Sequence, residues 1–447
     1  MTDSPAPHTA PAPRTAGALL TIAVALVAAN LRMTITSVGP LIDEIGADEA
    51  ISPALLGLLA ALPLIVWGLV SPASHWLSAR VGMTNAVSAA LVVFAVGTLW
   101  RSLPGAQGNL WFGTVLIGAG LAVANVLMPA VIKRDFAARV PLVMGMYTAL
   151  LGGMGAVGAG VAVPISEMTL TGGDPAGWRI ALAAMGLPIP LALAVWVIVN
   201  RRRDRLGSTP EARTAPTSAG KRIWTDPLAW QVSLYMGTQS AVFYSMSSWF
   251  APYEISHGVA PSAAGTELMA FQLIGIGGSF GLPLCARNLR LRRWLPALLP
   301  AFGLLAWIGM PLIPQLMPIW IVVGGLAAGA SLTMATRART TDHSSALSGM
   351  AQSIGYLVAA IGPLVFGVLL GATGNSVAPF ALIWGGRRRT VRHRRVRRTP
   401  PLRTRALSNA EGAAPVASAH LDDHSRVPLR DPRHAAAHFR VWGLLAL

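Results

Sequence analysis

The feature that most constrains this sequence is a series of apolar stretches, each about 20 residues long. A helix of that length crosses the hydrocarbon core of a bilayer, where only helices and closed barrels satisfy every backbone hydrogen bond. With 53% hydrophobic and 12% charged residues and a mean hydropathy of +0.55, the composition is that of a membrane protein. Spanning helices are predicted near residues 16 to 38, 52 to 73, 84 to 103, 110 to 132, 141 to 165, 179 to 200, 228 to 250, 264 to 286, 294 to 313, 318 to 336 and 346 to 371. The sequence therefore predicts an all-α membrane protein.

The predicted helices divide into two sets on either side of a charged stretch. Residues 201 to 227 are rich in Arg, Pro, Ser and Thr without helical periodicity, which is typical of a cytoplasmic linker. Residues 1 to 200 then form an N-terminal six-helix bundle and residues 228 to 384 a C-terminal helix bundle. Short sequence matches between the two sets, separated by nearly the same number of residues, favour duplicated six-helix halves. They pair Gly120-Leu121-Ala122 with Gly325-Leu326-Ala327, and Gly145-Met146, Ala156 and Gly158 with Gly349-Met350, Ala360 and Gly362.

The charges of the loops predict the orientation. Loops assigned to the inside carry 17 Lys and Arg residues, whereas those assigned to the outside carry Arg101 and Arg179. Because basic loops stay in the cytoplasm, we expect a multi-pass protein of the cell (inner) membrane with a cytoplasmic N-terminus. A cleaved signal peptide is the alternative, since residues 27 to 29 resemble a signal-peptidase site. An uncleaved helix is favoured because the apolar run exceeds a normal signal-peptide core.

The net charge of +17 comes mostly from the end of the chain. Residues 387 to 447 hold 14 Arg and 4 acidic residues, and only residues 376 to 386 remain for a twelfth helix, too few to cross a membrane. Arginines that follow a helix ending outside also contradict the positive-inside rule. We therefore interpret residues 385 to 447 as a disordered or out-of-frame tail that replaces the twelfth helix. A genuine basic tail that binds anionic lipid or nucleic acid is the alternative.

Arg32 is the most informative polar residue, because it lies past the midpoint of the first apolar stretch. A cation in a spanning helix is costly unless it faces a cavity, a partner or a ligand. Asn30 lies two positions away, which turns about 200° on a helix, so the two side chains cannot face the same cavity. We predict that Arg32 faces a substrate path, with snorkelling to the headgroups as the alternative. Asn30 is predicted to make an interhelical hydrogen bond, or else to contact the ligand.

Further amides and tyrosines lie within other predicted helices. Gln231, Tyr235 and Gln239 recur at every fourth position of the seventh helix and form a polar stripe. The remaining candidates are Asn125, Tyr147, Gln352 and Tyr356. Each alone is compatible with ordinary helix packing, but together they favour a cavity for a polar solute.

The sequence gives no convincing pattern for catalysis or metal binding. Cys285 is the one cysteine, and no HExxH or GxxxxGK motif occurs. The one GxSxG match, at residues 277 to 281, lies inside the predicted helix 264 to 286 rather than on the strand-to-helix turn that a nucleophile needs. We therefore expect no enzyme activity, no cofactor and no metal. No Asp or Glu lies deep within a predicted helix. If protons are the coupling ion, they would have to be carried by Glu267, which lies near a helix end, or by the substrate itself.

Three segments resemble one family. Residues 29 to 45 (ANLRMTITSVGPLIDEI), 120 to 136 (GLAVANVLMPAVIKRDF) and 348 to 363 (SGMAQSIGYLVAAIGP) are similar to the cyanate/2-nitroimidazole transporter branch of the major facilitator superfamily. The resemblance covers residues 16 to 384 and implies twelve helices in two halves. It also implies a central cavity lined mainly by helices 1, 4, 7 and 10. The superfamily's gating loop is represented by Arg80, Val81 and Gly82, but its Asp is missing.

These features together predict a secondary active transporter that moves a small polar or anionic solute by alternating access. A cyanate-like anion or a nitroimidazole-like compound would be attracted by Arg32 and oriented by the Gln and Tyr side chains. A membrane receptor without transport, or an inactive truncated transporter, is the alternative. The expected partners are the solute and the lipid bilayer, with no nucleic acid, and the protein is expected to be a monomer.

Overall fold

The computed structural model describes residues 14–170, 172–205, 224–338 and 345–380. Regular structure in these residues is helical, apart from one isolated bridge between Thr169 and Pro175. The long helices are α1 (Arg14–Thr36), α2 (Pro53–Val81), α3 (Met83–Arg101), α4 (Gly108–Asp135), α5 (Val140–Ser166), α6 in two segments (Gly177–Ala184 and Pro188–Arg205), α7 (Pro227–Ser256), α8 (Pro261–Cys285), α9 (Leu295–Leu312), α10 (Met317–Ala338) and α11 (Ser345–Thr373).

Ten of the described helical stretches are long and apolar enough to cross a membrane. The predicted all-α membrane fold is therefore confirmed. The seventh predicted span, α7, is not among the ten, although its 30 residues make it about 45 Å long. Its sequence interrupts the apolar run with Gln231, Gln239 and several serines, which lower the hydropathy that a membrane window requires.

The sixth predicted span is interrupted, whereas the sequence pattern predicted one continuous helix over 179 to 200. The first segment ends at Ala184, residues 185 to 187 form a turn, and Pro188 begins the second segment. The break follows from proline chemistry. Pro188 and Pro190 have no backbone N–H to continue the hydrogen-bond ladder, so the helix restarts where proline is tolerated.

Gly82 separates α2 from α3. Its φ is +84°, a conformation that residues with a Cβ rarely adopt, and its N–H donates to the carbonyl oxygen of Ser78. This glycine ends α2 and allows α3 to begin one residue later.

The helices pack in two similar patterns. Within the first six, α4 packs on α2 and α3, and α1 packs on α5; among the later five, α10 packs on α8 and α9, and α7 packs on α11. The two sets meet through α2 with α11 and α5 with α8. Pairs of helices in one set thus have counterparts in the other, as duplicated halves require.

The matched glycines test how far this repeat extends. A Cβ at Gly158 of α5 would lie 2.6 Å from the carbonyl oxygen of Met33 on α1, and one at Gly362 of α11 would lie 2.6 Å from that of Ala241 on α7. These two glycines therefore make equivalent helix contacts in the two halves. The second matched pair does not, because Gly120 approaches α3 whereas Gly325 approaches α8 rather than α9.

Ion pairs connect helix ends on both sides of the bundle. At the end that the loop charges assign to the outside, called the outer end below, Arg179 binds Asp48 and Glu49. At the opposite end, Arg203 binds the carboxylate of Asp135 with nitrogen–oxygen distances of 2.9 and 3.0 Å. The remainder of the predicted linker, residues 206–223, and the predicted tail from 385 lie outside the described residues.

Candidate functional site

Arg32 lies at the boundary between the two helix sets. Its side chain crosses α5 at Gly155, where an added Cβ would lie 2.9 Å from Arg32 Cγ. Its guanidinium carbon stands 5.1 Å from the centre of the Phe243 ring on α7. Arg32 is only 8% exposed and forms no ion pair within the described part of the chain. The guanidinium is therefore an enclosed cation that faces an aromatic ring of the other set.

Phe243 in turn packs against a cluster that contains further aromatic side chains. Phe243 contacts Tyr244 edge to face at 5.2 Å, and Trp67 of α2 stacks on Tyr356 of α11 with ring centres 4.1 Å apart. Tyr244 and Trp67 share one apolar cluster, and Phe243 and Tyr356 pack against it. The predicted site residue Tyr356 therefore joins the two helix sets through a ring contact.

A cavity of about 180 Å³, lined in part by Phe243, lies between α7, α8, α9 and α10. Gln239 and Ser331 are among the polar side chains that line it. The Gln239 side chain accepts a hydrogen bond from Ser240 Oγ at 3.3 Å. Gln239 thus lies one helical turn from Phe243 and beside the same cavity.

The other polar residues of α7 and α11 occupy different surroundings. Tyr235 packs with Val232, Met236 and Ala351, and its hydroxyl lies within hydrogen-bonding reach of Ser331 on α10. Gln352 is buried on α11. Gln231, which continues the predicted polar stripe, is exposed.

Asn125 and Tyr147 form a pair inside the first helix set. Tyr147 Oη donates to Asn125 Oδ1 at 3.4 Å, and Asn125 Nδ2 donates to the carbonyl oxygen of Leu121. Tyr147 belongs to the apolar core of α1, α3, α4, α5 and α6 rather than to the aromatic cluster around Arg32. This pair links α4 to α5.

Asn30 points away from Arg32. It is 1% exposed, and its Nδ2 donates to the carbonyl oxygen of Leu26 on the same helix at 2.7 Å, while Oδ1 has no partner. The bond between α1 and α5 comes instead from Thr36, whose hydroxyl donates to the carbonyl oxygen of Gly155 at 2.6 Å.

The predicted gating loop places Arg80 over the Trp76 ring, 4.1 Å from its centre, with the arginine exposed. Gly82 serves the turn described above. The structure therefore keeps these two predicted residues together at the C-terminal end of α2.

Sequence reasoning missed Arg101 as a functional candidate. It counted Arg101 among the loop charges of the outer side, but the structure encloses it at 2% exposure at the end of α3. A signal was present, because the predicted span 84 to 103 already contained this position. The sequence could not show that α1 and α4 close around it.

Two carboxyl groups meet near the outer end of α7 and α8. Glu254 and Glu267 lie within hydrogen-bonding reach of each other. Glu254 is 4% exposed, and Glu267 Oε2 is buried without a partner. No basic side chain pairs with either carboxylate among the described residues.

Comparison with known proteins identifies the family. Residues 20–363 match the Major Facilitator Superfamily. The chain belongs to this superfamily. The resemblance stated from the three segments is thereby confirmed, and so is the predicted major facilitator fold.

Two curated relatives extend over most of this superfamily member. It is 33% identical over 366 residues to the 2-nitroimidazole transporter of Escherichia coli (strain K12), which covers 81% of this chain and 90% of that protein. It is 30% identical over 367 residues to the cyanate transport protein CynX of the same organism, and this match covers 80% of this chain and 92% of that protein. The superfamily and these relatives are transporters rather than enzymes, so transport of a small solute across a membrane is the established family role.

Among solved structures, the chain is similar to a bacterial homologue of the human lysosomal transporter Spinster in an inward-facing and unoccupied conformation. The TM-score is 0.67 at 18% identity, with 84% of this chain and 87% of that chain covered. At this identity the likeness supports the fold alone.

Proposed function

We propose that this protein is a secondary active transporter in the cell (inner) membrane that moves a small polar or anionic solute by alternating access. The observation that carries the proposal is Arg32, an enclosed guanidinium without an ion pair in the described chain, placed over Phe243 where the two helix sets meet. A solute bound there touches both sets, so their relative movement can expose it to one side and then the other.

The solute class follows from the chemistry around Arg32. A planar guanidinium offers forked hydrogen bonds to an anion or to a strongly dipolar group such as a nitro group. The Phe243 ring under the guanidinium, with Tyr244 and Tyr356 in the cluster against which it packs, favours a flat or rod-like apolar body. A cyanate-like anion and a nitroimidazole-like compound both satisfy these conditions, and the two relatives are named for solutes of these kinds.

Transport of radiolabelled cyanate and of 2-nitroimidazole into proteoliposomes tests the proposal. Arg32→Gln is expected to lower solute affinity about 10- to 100-fold, because a charge-assisted hydrogen bond contributes about 1.5–3 kcal/mol. The variant should remain folded. Arg287→Gln is the matched control, because Arg287 is exposed in the loop after α8. Ligand-induced thermal stabilisation that is unchanged in Arg32→Gln would refute the role of Arg32, and binding without flux would indicate a receptor.

We infer that protons drive this transport, with Glu254 and Glu267 as the proton-binding pair. Two carboxyl groups can hydrogen-bond to each other only when one of them is protonated. The other titratable groups nearby are Tyr253 and His257 on α7. The short helix Ile42–Asp48, which packs against α7, carries Asp43.

Glu254→Gln tests the coupling. The variant should bind solute with unchanged affinity but lose the acceleration of uptake by an imposed pH gradient. Glu167→Gln, an exposed carboxylate at the end of α5, is the control. A gradient dependence that persists in Glu254→Gln would exclude this pair as the coupling site.

A further inference from the structure

We propose that Arg101 binds a small monovalent anion in a small cavity at the outer end of the first helix set, at a site separate from Arg32. The cavity has a volume of about 20 Å³, which is room for one water-sized occupant. The proposal does not require the transported solute to be an anion.

The guanidinium of Arg101 has donors that nothing in the described chain uses. Nη1 donates to the carbonyl oxygen of Thr34 on α1 at 3.2 Å. Nε and Nη2 are buried and have no hydrogen-bond partner. Since buried donors in folded proteins are nearly always paired, two free donors on one enclosed cation indicate a ligand that completes them.

The surroundings of Arg101 lack a counter-charge. Acidic residues occur at the same end of the bundle, but Asp48 and Glu49 are both bound by Arg179, and Glu44 accepts the backbone N–H of Trp178. No ion pair to Arg101 exists within the described residues. Burial at 2% exposure also keeps its side chain from reaching lipid headgroups. An enclosed charge of this kind is costly unless an anion neutralises it.

The lining of the cavity selects the size and charge of that anion. Most of it is apolar, with Val38, Leu59 and Pro63 as examples. Thr114 also lines it, but its hydroxyl donates to the carbonyl oxygen of Leu110. Ser248, which lines the cavity from α7, carries a further hydroxyl. A halide, or one end of a three-atom rod-like anion, fits these dimensions, whereas sulfate and gluconate are too large.

Ser248 also gives the site a connection to the second helix set. The other lining residues come from α1, α2, α3, α4, α6 and the segment after α1, and Ser248 alone among those lining residues comes from α7. A bound anion would therefore touch both sets at the outer end and stabilise their closed arrangement there.

Thermal unfolding of the purified full chain tests the site. At constant ionic strength, replacement of gluconate by chloride or bromide should raise the Tm of the wild type by on the order of 2 °C. Arg101→Gln should abolish this rise, whereas Arg32→Gln and the exposed control Arg287→Gln should keep it. Ser248→Ala should raise the halide concentration needed for half of the effect by about 3- to 10-fold, because one hydrogen bond is lost.

Each outcome has one meaning. A wild type without halide dependence, or a halide response that survives in Arg101→Gln, would overturn the proposal. Loss of the response in Arg32→Gln with its retention in Arg101→Gln would move the anion to the central site and overturn it as well. If Arg101→Gln fails to fold, the Ser248→Ala shift decides, and an unshifted halide dependence there would overturn the proposal. Failure of solute transport leaves the halide response unaffected, so the two proposals fail separately.

Discussion

Arg32 and Arg101 are both enclosed by helices of the first set, and they differ in what their guanidinium groups meet. Arg32 leaves α1 past its middle and ends over Phe243 of the second set. Arg101 ends α3 and donates to the carbonyl oxygen of Thr34, and within the described part of the chain its other two nitrogens have no partner. The first cation therefore faces the second helix set, whereas the second keeps two donors beside a small cavity at the outer end.

The glycines beside the two arginines show the same difference. A Cβ added at Gly155 would meet the side chain of Arg32, 2.9 Å from Cγ and 3.0 Å from Cδ. A Cβ added at Gly113 of α4 would meet the backbone of Arg101, 2.6 Å from its Cα. A side chain can rotate away from a new methyl group, but a helix backbone cannot. The Arg32 region is thus adjustable and the Arg101 region rigid.

Gly113→Ala and Gly155→Ala test this contrast with the largest expected effect. Gly113→Ala should lower the free energy of unfolding by about 1–3 kcal/mol, because α3 and α4 must separate. Gly155→Ala should change stability less but should move Arg32 away from Phe243 and weaken solute binding. Tm and solute affinity of both variants are the measurements. Equal destabilisation would show that the Arg32 side chain is as fixed as the backbone of α3.

Arg101→Met and Arg32→Met test the cost of the two charges. In gluconate, Arg101→Met should raise the free energy of unfolding by about 1 kcal/mol, because an enclosed, uncompensated charge is replaced by an apolar chain of similar length. Arg32→Met should give a smaller gain, since the Phe243 ring already stabilises its cation. Thermal unfolding of the two variants in gluconate and in chloride measures these changes in stability. Chloride should reduce the gain of Arg101→Met; a gain independent of the anion would contradict the anion site.

Phe243→Leu tests the ring contact of Arg32 and has the smallest expected effect. A cation over an aromatic face contributes about 0.5–1 kcal/mol, so solute affinity should fall roughly 2- to 5-fold. Titration of the solute against the variant measures this change. Phe302→Leu is the matched control, because Phe302 is an exposed ring on α9. An equal loss in both variants would show that the ring over Arg32 has no specific role.

The helices and their packing were predictable to different extents. Apolar windows located the long helices of the described residues, although α7 is more polar than the other spans. Each window of about 20 residues reports locally on membrane insertion. The break in α6 was missed, although Gly186 and Pro188 mark it. The repeat was recognised, but the sequence could not tell that Gly158 and Gly362 share equivalent contacts while Gly120 and Gly325 do not.

By itself, the sequence determined the membrane class, the order of the helices and the position of a cation inside α1, because hydropathy and helical periodicity are properties of neighbouring residues. The tertiary structure alone decided that Trp67 stacks on Tyr356, that Tyr147 bonds Asn125 and that Arg101 is enclosed. These contacts join residues far apart in the chain. The burial of a residue at a helix end depends on which other helices close around it, and no local pattern contains that information.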